Sequence, residues 1–412
     1  MLEASQPPEP GHGVSATGYS TASGERSRWL GVGHCTHGDA ALAGAAAAQR
    51  ALIGDDPRLL VVFCSERYDL AGLATAITEC AGDDVPLIGC STAGEIAGGG
   101  PRDASVVVAA FGGDGFSVAT RCAEHASARL RDSGAEAAAA LSDIEPRPHQ
   151  VLLLLTDGLA GDQQEIVRGA YGVAGAAVPL VGGCAGDDLR MAATHQLHGG
   201  RVLSDAVVAA AIGSDAPLGI GVRHGWRRVG EPMVVTGSAN NRVHTLDDQP
   251  ALDVYLDRLA APGEARAEAT AFTHFALTHP LGLSRQRGED QVRFIGEADF
   301  RTRSLGCIAE VPRGGLAWFM EGDDESVMHA TDAACADALA PLAPDPPLGL
   351  LAFDCIARRG VLGEPGIRRE VARVSRCAGD APVAGFYTYG EIARTRGVSG
   401  FHNQTLVVLA VG

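Results

Sequence analysis

Apolar residues along this chain fall in short, nearly continuous runs. LLVVFCS (59–65), VLLLLTDG (151–158) and LGLLAFDC (348–355) are each followed by a helical stretch and then by a second run ending in a polar corner. These corners are VPLIGCSTAGEI (85–96), VPLVGGCAGDD (178–188) and APVAGFYTYGEI (381–392). A third run closes each series: SVVVAAFGG, DAVVAAAIGS and NQTLVVLAVG. Runs of this length without polar alternation are those of strands covered on both faces. The threefold recurrence therefore predicts an α/β protein of repeated strand-helix-strand-loop-strand units forming largely buried mixed sheets.

The linking segments carry helix punctuation. DLAGLATAITECAG (69–82) and DQQEIVRGAYGVAG (162–175) both open on an aspartate that can cap and close on glycine. Between the second and third units the pattern changes to alternation, LGIGVRHGW then EPMVVTGSANNRVHTL, with a turn at 240–242. LDDQPALDVYLDRLAA (246–261) reads as an amphipathic helix with Pro250 near its start. Strand-like pieces follow between 292 and 321, and then a helix at 325–342. The expected division is a disordered tail over 1–28, one domain over 29–245 and a second over 246–412.

Composition narrows the chemistry. The 412 residues carry a formal charge of −17, which repels nucleic acid and anionic membranes at long range. No apolar run reaches the ~18 residues of a membrane span. The chain contains no lysine, which removes Schiff-base chemistry and the lysine of a phosphate-binding P-loop. Ten scattered cysteines without a C-x-x-C pair read as reduced thiols in a cytoplasm. Residues 1–28 lack the apolar segment of a signal peptide.

Six blocks in order carry a resemblance. WLGVGHCTHGDAALAGAAAAQRAL, FCSERYDLAGL, VPLIGCSTAGEI, GVRHGWRRVGEPMVVTGSANNRVHTLDDQPALDVY, HPLGL and GFYTYGEIARTRGVSGFHNQTLVVL together resemble the FIST proteins, with an N-terminal and a C-terminal FIST domain. The resemblance implies a bacterial cytoplasmic sensory protein that binds a small ligand and acts through a partner, a histidine kinase or a cyclic-dinucleotide enzyme. It also implies two ligand classes: haem with nitric oxide, or an amino-acid-like metabolite.

Candidate residues follow from both lines. Each Gly-Glu corner offers exposed amides and an acid, Glu95 in the first copy and Glu391 in the third, and each glutamate can also simply brace its loop. Tyr387, Glu391, His402 and Asn403 are expected to line a polar pocket, the glutamate accepting from an amine and His or Asn donating to a carboxylate. For haem, His224 beside Trp226 and Arg227 is the first choice of axial ligand and His244 the second. GHCTHGD sets His34, Cys35, His37 and Asp39 together, although no further ligand cluster supports zinc. Cys90, with Cys184 read as its counterpart, offers a cysteine-enzyme alternative, and a ligand-free protein-binding scaffold is another. Glu66 and Arg67 face the same crevice, or Arg67 pairs with Asp69.

Overall fold

The computed structural model describes residues 27–284, 290–395 and 400–412; the tail expected over 1–28 lies, up to residue 26, outside them. Three six-stranded sheets have one common plan. The first unit runs Trp29–Cys35, helix Ala40–Ala51, Pro57–Cys64, helix Leu70–Ala81, Leu87–Ser91, a small hairpin Glu95–Ala97 and Gly100–Arg102, then Val106–Gly112. The second repeats this from Phe116–Glu124 to Ala206–Ser214, with helices Leu130–Ala138 and Gln163–Ala174. The third starts at Leu218–Arg223, is interrupted by an antiparallel insertion, and resumes at helix Asp324–Leu339 to end with Leu406–Val411.

The α/β class and the three repeated units are as expected; each unit also begins with a strand and a helix outside the recurrent pattern, the third unit's helix being the one expected at 325–342. Their sequences, such as ALAGAAAAQRA, are alanine-rich and helix-favouring without a marked polar face. LGIGVRHGW was expected to be part of one antiparallel region. Instead Leu218–Arg223 pairs with Leu406–Val411 in the third unit's sheet, while Arg227–Ala239 enters the eight-stranded insertion sheet. The hairpin at 240–242 forms, with Ala239 opposite Arg242.

Continuous apolar runs arise because both faces of each sheet are covered. Leu59, Val61 and Phe63 point to a centre shared with Val151, Leu153, Leu155, Leu351 and Phe353, whereas Leu60, Val62 and Cys64 face their own helices. Phe63 sits 4.8 Å from Phe386 and 6.1 Å from Phe353, ring centre to ring centre, so the units meet through aromatic contacts. The glycine shared by the three corners has a packing cause. A Cβ on Gly89, Gly182 or Gly385 would fall 2.5, 1.9 or 2.0 Å from a carbonyl oxygen of the parallel strand beside it.

The hairpins do not stay with their own sheets. Glu95–Ala97 of the first unit pairs with Val383–Thr388 of the third. Gln196–His198 of the second pairs with Leu87–Ser91 of the first, and Glu391–Arg394 of the third pairs with Leu180–Cys184 of the second. Each unit thus completes a neighbour's sheet, and the exchange closes into a ring with three seams. Strands from both sides of residue 246 share three of the four sheets. Among the described residues no helix is long and apolar enough to cross a membrane.

Candidate functional site

The parallel registers correct the alignment of the corners. Gly89, Gly182 and Gly385 occupy equivalent positions, so Cys90 matches Gly183 and Phe386, while Cys184 matches Ser91 and Tyr387. Counting on from there, Glu95 and Glu391 correspond to Asp188.

Both glutamates are fully buried and fully engaged. Glu95 accepts from the Thr92 hydroxyl, from Ser105 Oγ at 2.7 Å and from the Ser105 amide at 3.1 Å. Glu391 accepts from the Thr388 hydroxyl and from the Thr405 amide at 3.1 Å. Ser105 and Thr405 each precede the last strand of their unit, so the acid ties the corner to that strand. In the second unit Asp157 does this work instead, accepting from the Asp205 amide at 2.8 Å. Burial is the main force raising both carboxyls, Glu95 to about 7 and Glu391 to about 8, against the hydrogen bonds that lower them. The bracing alternative accounts for all of these contacts.

The pocket expected around Glu391 is divided by the strand pleat. His402 lies opposite Glu391 in the hairpin, with Nε2 3.2 Å from the Ala393 oxygen, and Asn403 follows it, 2 % exposed. Tyr387 neighbours Thr388, the partner of Glu391, and successive strand residues face opposite sides. Its ring lies under the Arg359 guanidinium at the seam with the first unit, where Arg359 also reaches Asp103 at 2.7 Å. Behind it is a buried ionic group: Arg358 bridges Asp354 and Glu370, and all three are at most 1 % exposed. Burial works against the Arg358 charge, but Glu370 and Asp354 together push its pKa up.

Of the residues singled out for haem, His224, Trp226 and Arg227 are engaged by neighbouring groups. Trp226 is 4 % exposed, packs on Val292 and Met320, and donates Nε1–H to the Gln404 oxygen. His224 uses Nδ1 to accept the Trp226 amide at 2.9 Å, and burial lowers its pKa to about 4. Arg227 turns to Glu321 and Asp323. His244 is exposed on Arg242–Leu246, beside the far end of Arg227–Ala239.

The metal and thiol candidates are placed by local contacts. His37 accepts the Asp39 amide and Asp39 caps the first helix through the Leu42 amide, making this stretch a turn. Among the described residues no three His, Cys, Asp or Glu side chains are placed to hold a metal ion. Cys90 is fully buried, and burial, then Cys64, Cys184 and Glu95, push its thiol well above the ordinary range. Arg67 pairs with Asp188, not Asp69, and Glu66 pairs with Arg190, closing the seam between first and second units.

The seam between second and third units holds a cleft of about 390 Å³. Its lining comes from three places. Helix Gln163–Ala174 supplies Gln164, Val167, Arg168 and Tyr171, the insertion supplies Gln291, Arg293, Glu310 and Pro312, and the exchanged hairpin supplies Arg394 and Gly400. Gln164 Oε1 accepts the Phe401 amide at 3.1 Å, and Gln291 Nε2 donates to the Phe401 oxygen at 2.8 Å. Arg394 lies on the strand of Glu391, three residues further on, and therefore projects from its other face. Sequence reasoning stopped at the acid and missed this arginine, for which EIAR offered only a charge at the right strand parity.

Comparisons with known proteins agree with the resemblance. The model of the FIST N domain matches residues 58–249, and that of the FIST C domain matches residues 251–394. Two uncharacterised proteins from two strains of Mycobacterium tuberculosis are 25% identical over 388 residues, covering 91% of this chain and 97% of each relative. A chorismatase crystal structure aligns over 94% of this chain and 99% of its own at 10% identity, with a TM-score of 0.35 that carries no argument.

Proposed function

The chain belongs to the FIST family, and from that premise we propose that it senses a small ligand in the cleft between its second and third units and passes the signal to a partner protein. FIST domains are sensory, signal-transduction modules that bind small ligands, not catalysts. The observation that supports this location is the convergence of three separate segments on one cleft. A ligand touching the helix, the insertion and the hairpin at once would stiffen their mutual placement, and a sensor needs such a differential contact to shift a population. A cleft of this size holds a metabolite rather than a macromolecule.

The partner proposed is a histidine kinase or a cyclic-dinucleotide enzyme in a bacterial cytoplasm, since the sensory module must hand its signal on. An amino-acid-like metabolite is the ligand reading kept here, with its place moved from the Glu391 corner to the cleft on the other face of that strand. A thermal-shift screen of amino acids and small metabolites tests it. A ligand at 100 times its dissociation constant stabilises by about 2.7 kcal/mol, and Val167→Trp, which enlarges a buried side chain in the cleft wall, is expected to remove the shift while far-UV circular dichroism stays unchanged. A ligand that stabilises Val167→Trp as much as the unaltered protein refutes the location.

A further inference from the structure

The arginine on the hairpin has an unusual position. Its guanidinium lies over the Tyr171 ring, and its Nη1 is buried without a hydrogen-bond partner among the described residues. The other two arginines of the cleft are committed. Arg168 pairs with Glu165 and, at 3.5 Å, with Glu310. Arg293 donates to the oxygens of Glu310, Val292 and Phe401 at 3.0 to 3.3 Å. Arg394 forms no ion pair among the described residues and is half-buried.

Stacking fixes a guanidinium by its face and leaves its edge, with several N–H donors in a fixed fork, to meet a partner. That edge matches two oxygens of a carboxylate or phosphate group. The field favours the same partner, because the cleft sets Arg168, Arg293 and Arg394 against Glu310 in a chain whose formal charge is −17. Walls of low dielectric concentrate such a local excess. Asp162 and Glu165 also lie near, but they are grouped around Arg168.

We propose that Arg394, held against Tyr171, is an oxyanion receptor, and that the ligand of the cleft is a small organic acid or phosphate ester bound through two of its oxygens. This rests on the cleft reading above and specifies its ligand class. It also assigns Tyr171 a positioning role, since the ring sets the plane of the fork.

The test uses the full chain with malonate, inorganic phosphate and neutral glycerol as probes, at low ionic strength matched with sodium chloride, reading melting temperature and calorimetric affinity. Malonate or phosphate is expected to bind saturably and glycerol not to bind. Which of the two binds more tightly separates carboxylate from phosphoryl recognition. Arg394→Gln is expected to weaken binding by about tenfold or more, and Arg394→Lys, which keeps the charge but loses the fork, to recover only part of it. Unchanged far-UV circular dichroism in both variants shows that the fold is intact. If Arg394→Gln fails to fold, Arg394→Lys with Tyr171→Ala carries the test, and undiminished affinity in those overturns the proposal. Equal binding by the unaltered protein and Arg394→Gln overturns it too, while loss of that binding in Val167→Trp leaves the cleft reading standing. Failure of both malonate and phosphate to bind also overturns it, whatever other compounds do.

Discussion

Replacing Glu391 by glutamine isolates a proton that folding retains. In the unfolded chain the carboxyl titrates near its ordinary 4.5, whereas burial in the folded protein holds it protonated to about 8. Between these values the folded state carries one more proton than the unfolded state, so stability falls as pH rises through the window and levels off above it. One such proton is worth on the order of 1 kcal/mol per pH unit, and a few kcal/mol across the window. Glutamine suits the site: its oxygen can accept the Thr405 amide and its NH₂ can donate to the Thr388 hydroxyl, which already accepts the Gly390 amide at 3.1 Å. Urea unfolding followed by tryptophan fluorescence, at pH 5.5, 7 and 8.5, makes the comparison. Near pH 5 the Glu391→Gln protein should match the parent within about 1 kcal/mol, the range of a typical hydrogen-bond exchange. At pH 8.5 it should be more stable by a few kcal/mol. Identical pH slopes for the two proteins, or a variant that is less stable at pH 8.5, would refute the reasoning, because a carboxylate ionised in the fold and gripped by two donors produces that result.

Further expectations concern other parts of the molecule. Arg358→Leu leaves Asp354 and Glu370 buried together and should cost about 3–5 kcal/mol in chemical denaturation, with the loss reduced in a Glu370→Gln background. Gly169→Ala gains helix propensity of about 1 kcal/mol, but its Cβ would sit 1.8 Å from the Arg131 oxygen, so helix Leu130–Ala138 must shift. The net should be a loss of about 1–3 kcal/mol, read as a lower melting temperature. Timed alkylation of the native protein should label Cys377 early, since its hydrogen bond with Cys335 lowers its pKa to about 7 while it is partly exposed, and should leave Cys64, Cys90 and Cys184 unmodified until unfolding. Hemin titration should give no Soret band that His224→Ala removes, because Nδ1 accepts the Trp226 amide, which leaves the ring proton on Nε2, and the imidazole is buried.

Local physics was legible in the sequence where it was self-contained. The buried strands appeared as apolar runs, and Asp162 and Gly175 bounded their helix as caps, Asp162 accepting the Gln164 amide at 2.9 Å. The bracing of Glu95 was readable as one of two roles, and three-residue spacing from Thr92 was its only local mark. What lay beyond reach depended on distant partners. A three-residue strand such as Glu95–Ala97 contains nothing that names Val383–Thr388 as its neighbour. The cleft joins residues from 164–171, residues from 291–312, and Arg394 with Gly400, and no short window of the sequence holds more than one of these groups. Arg394 differs from many surface arginines only in what it fails to pair with, and that is a property of the folded surroundings.

The ring of exchanged hairpins bears on how this protein can change over evolutionary time. In an assembly of three identical subunits, any substitution at a contact appears three times, and a binding place is gained or lost in triplicate. Here each contact is encoded separately. One is joined through the Arg67–Asp188 and Arg190–Glu66 ion pairs, another through Arg359 and Asp103, and the remaining one carries a cleft lined by Arg394. Three joints encoded separately can each change without altering the other two.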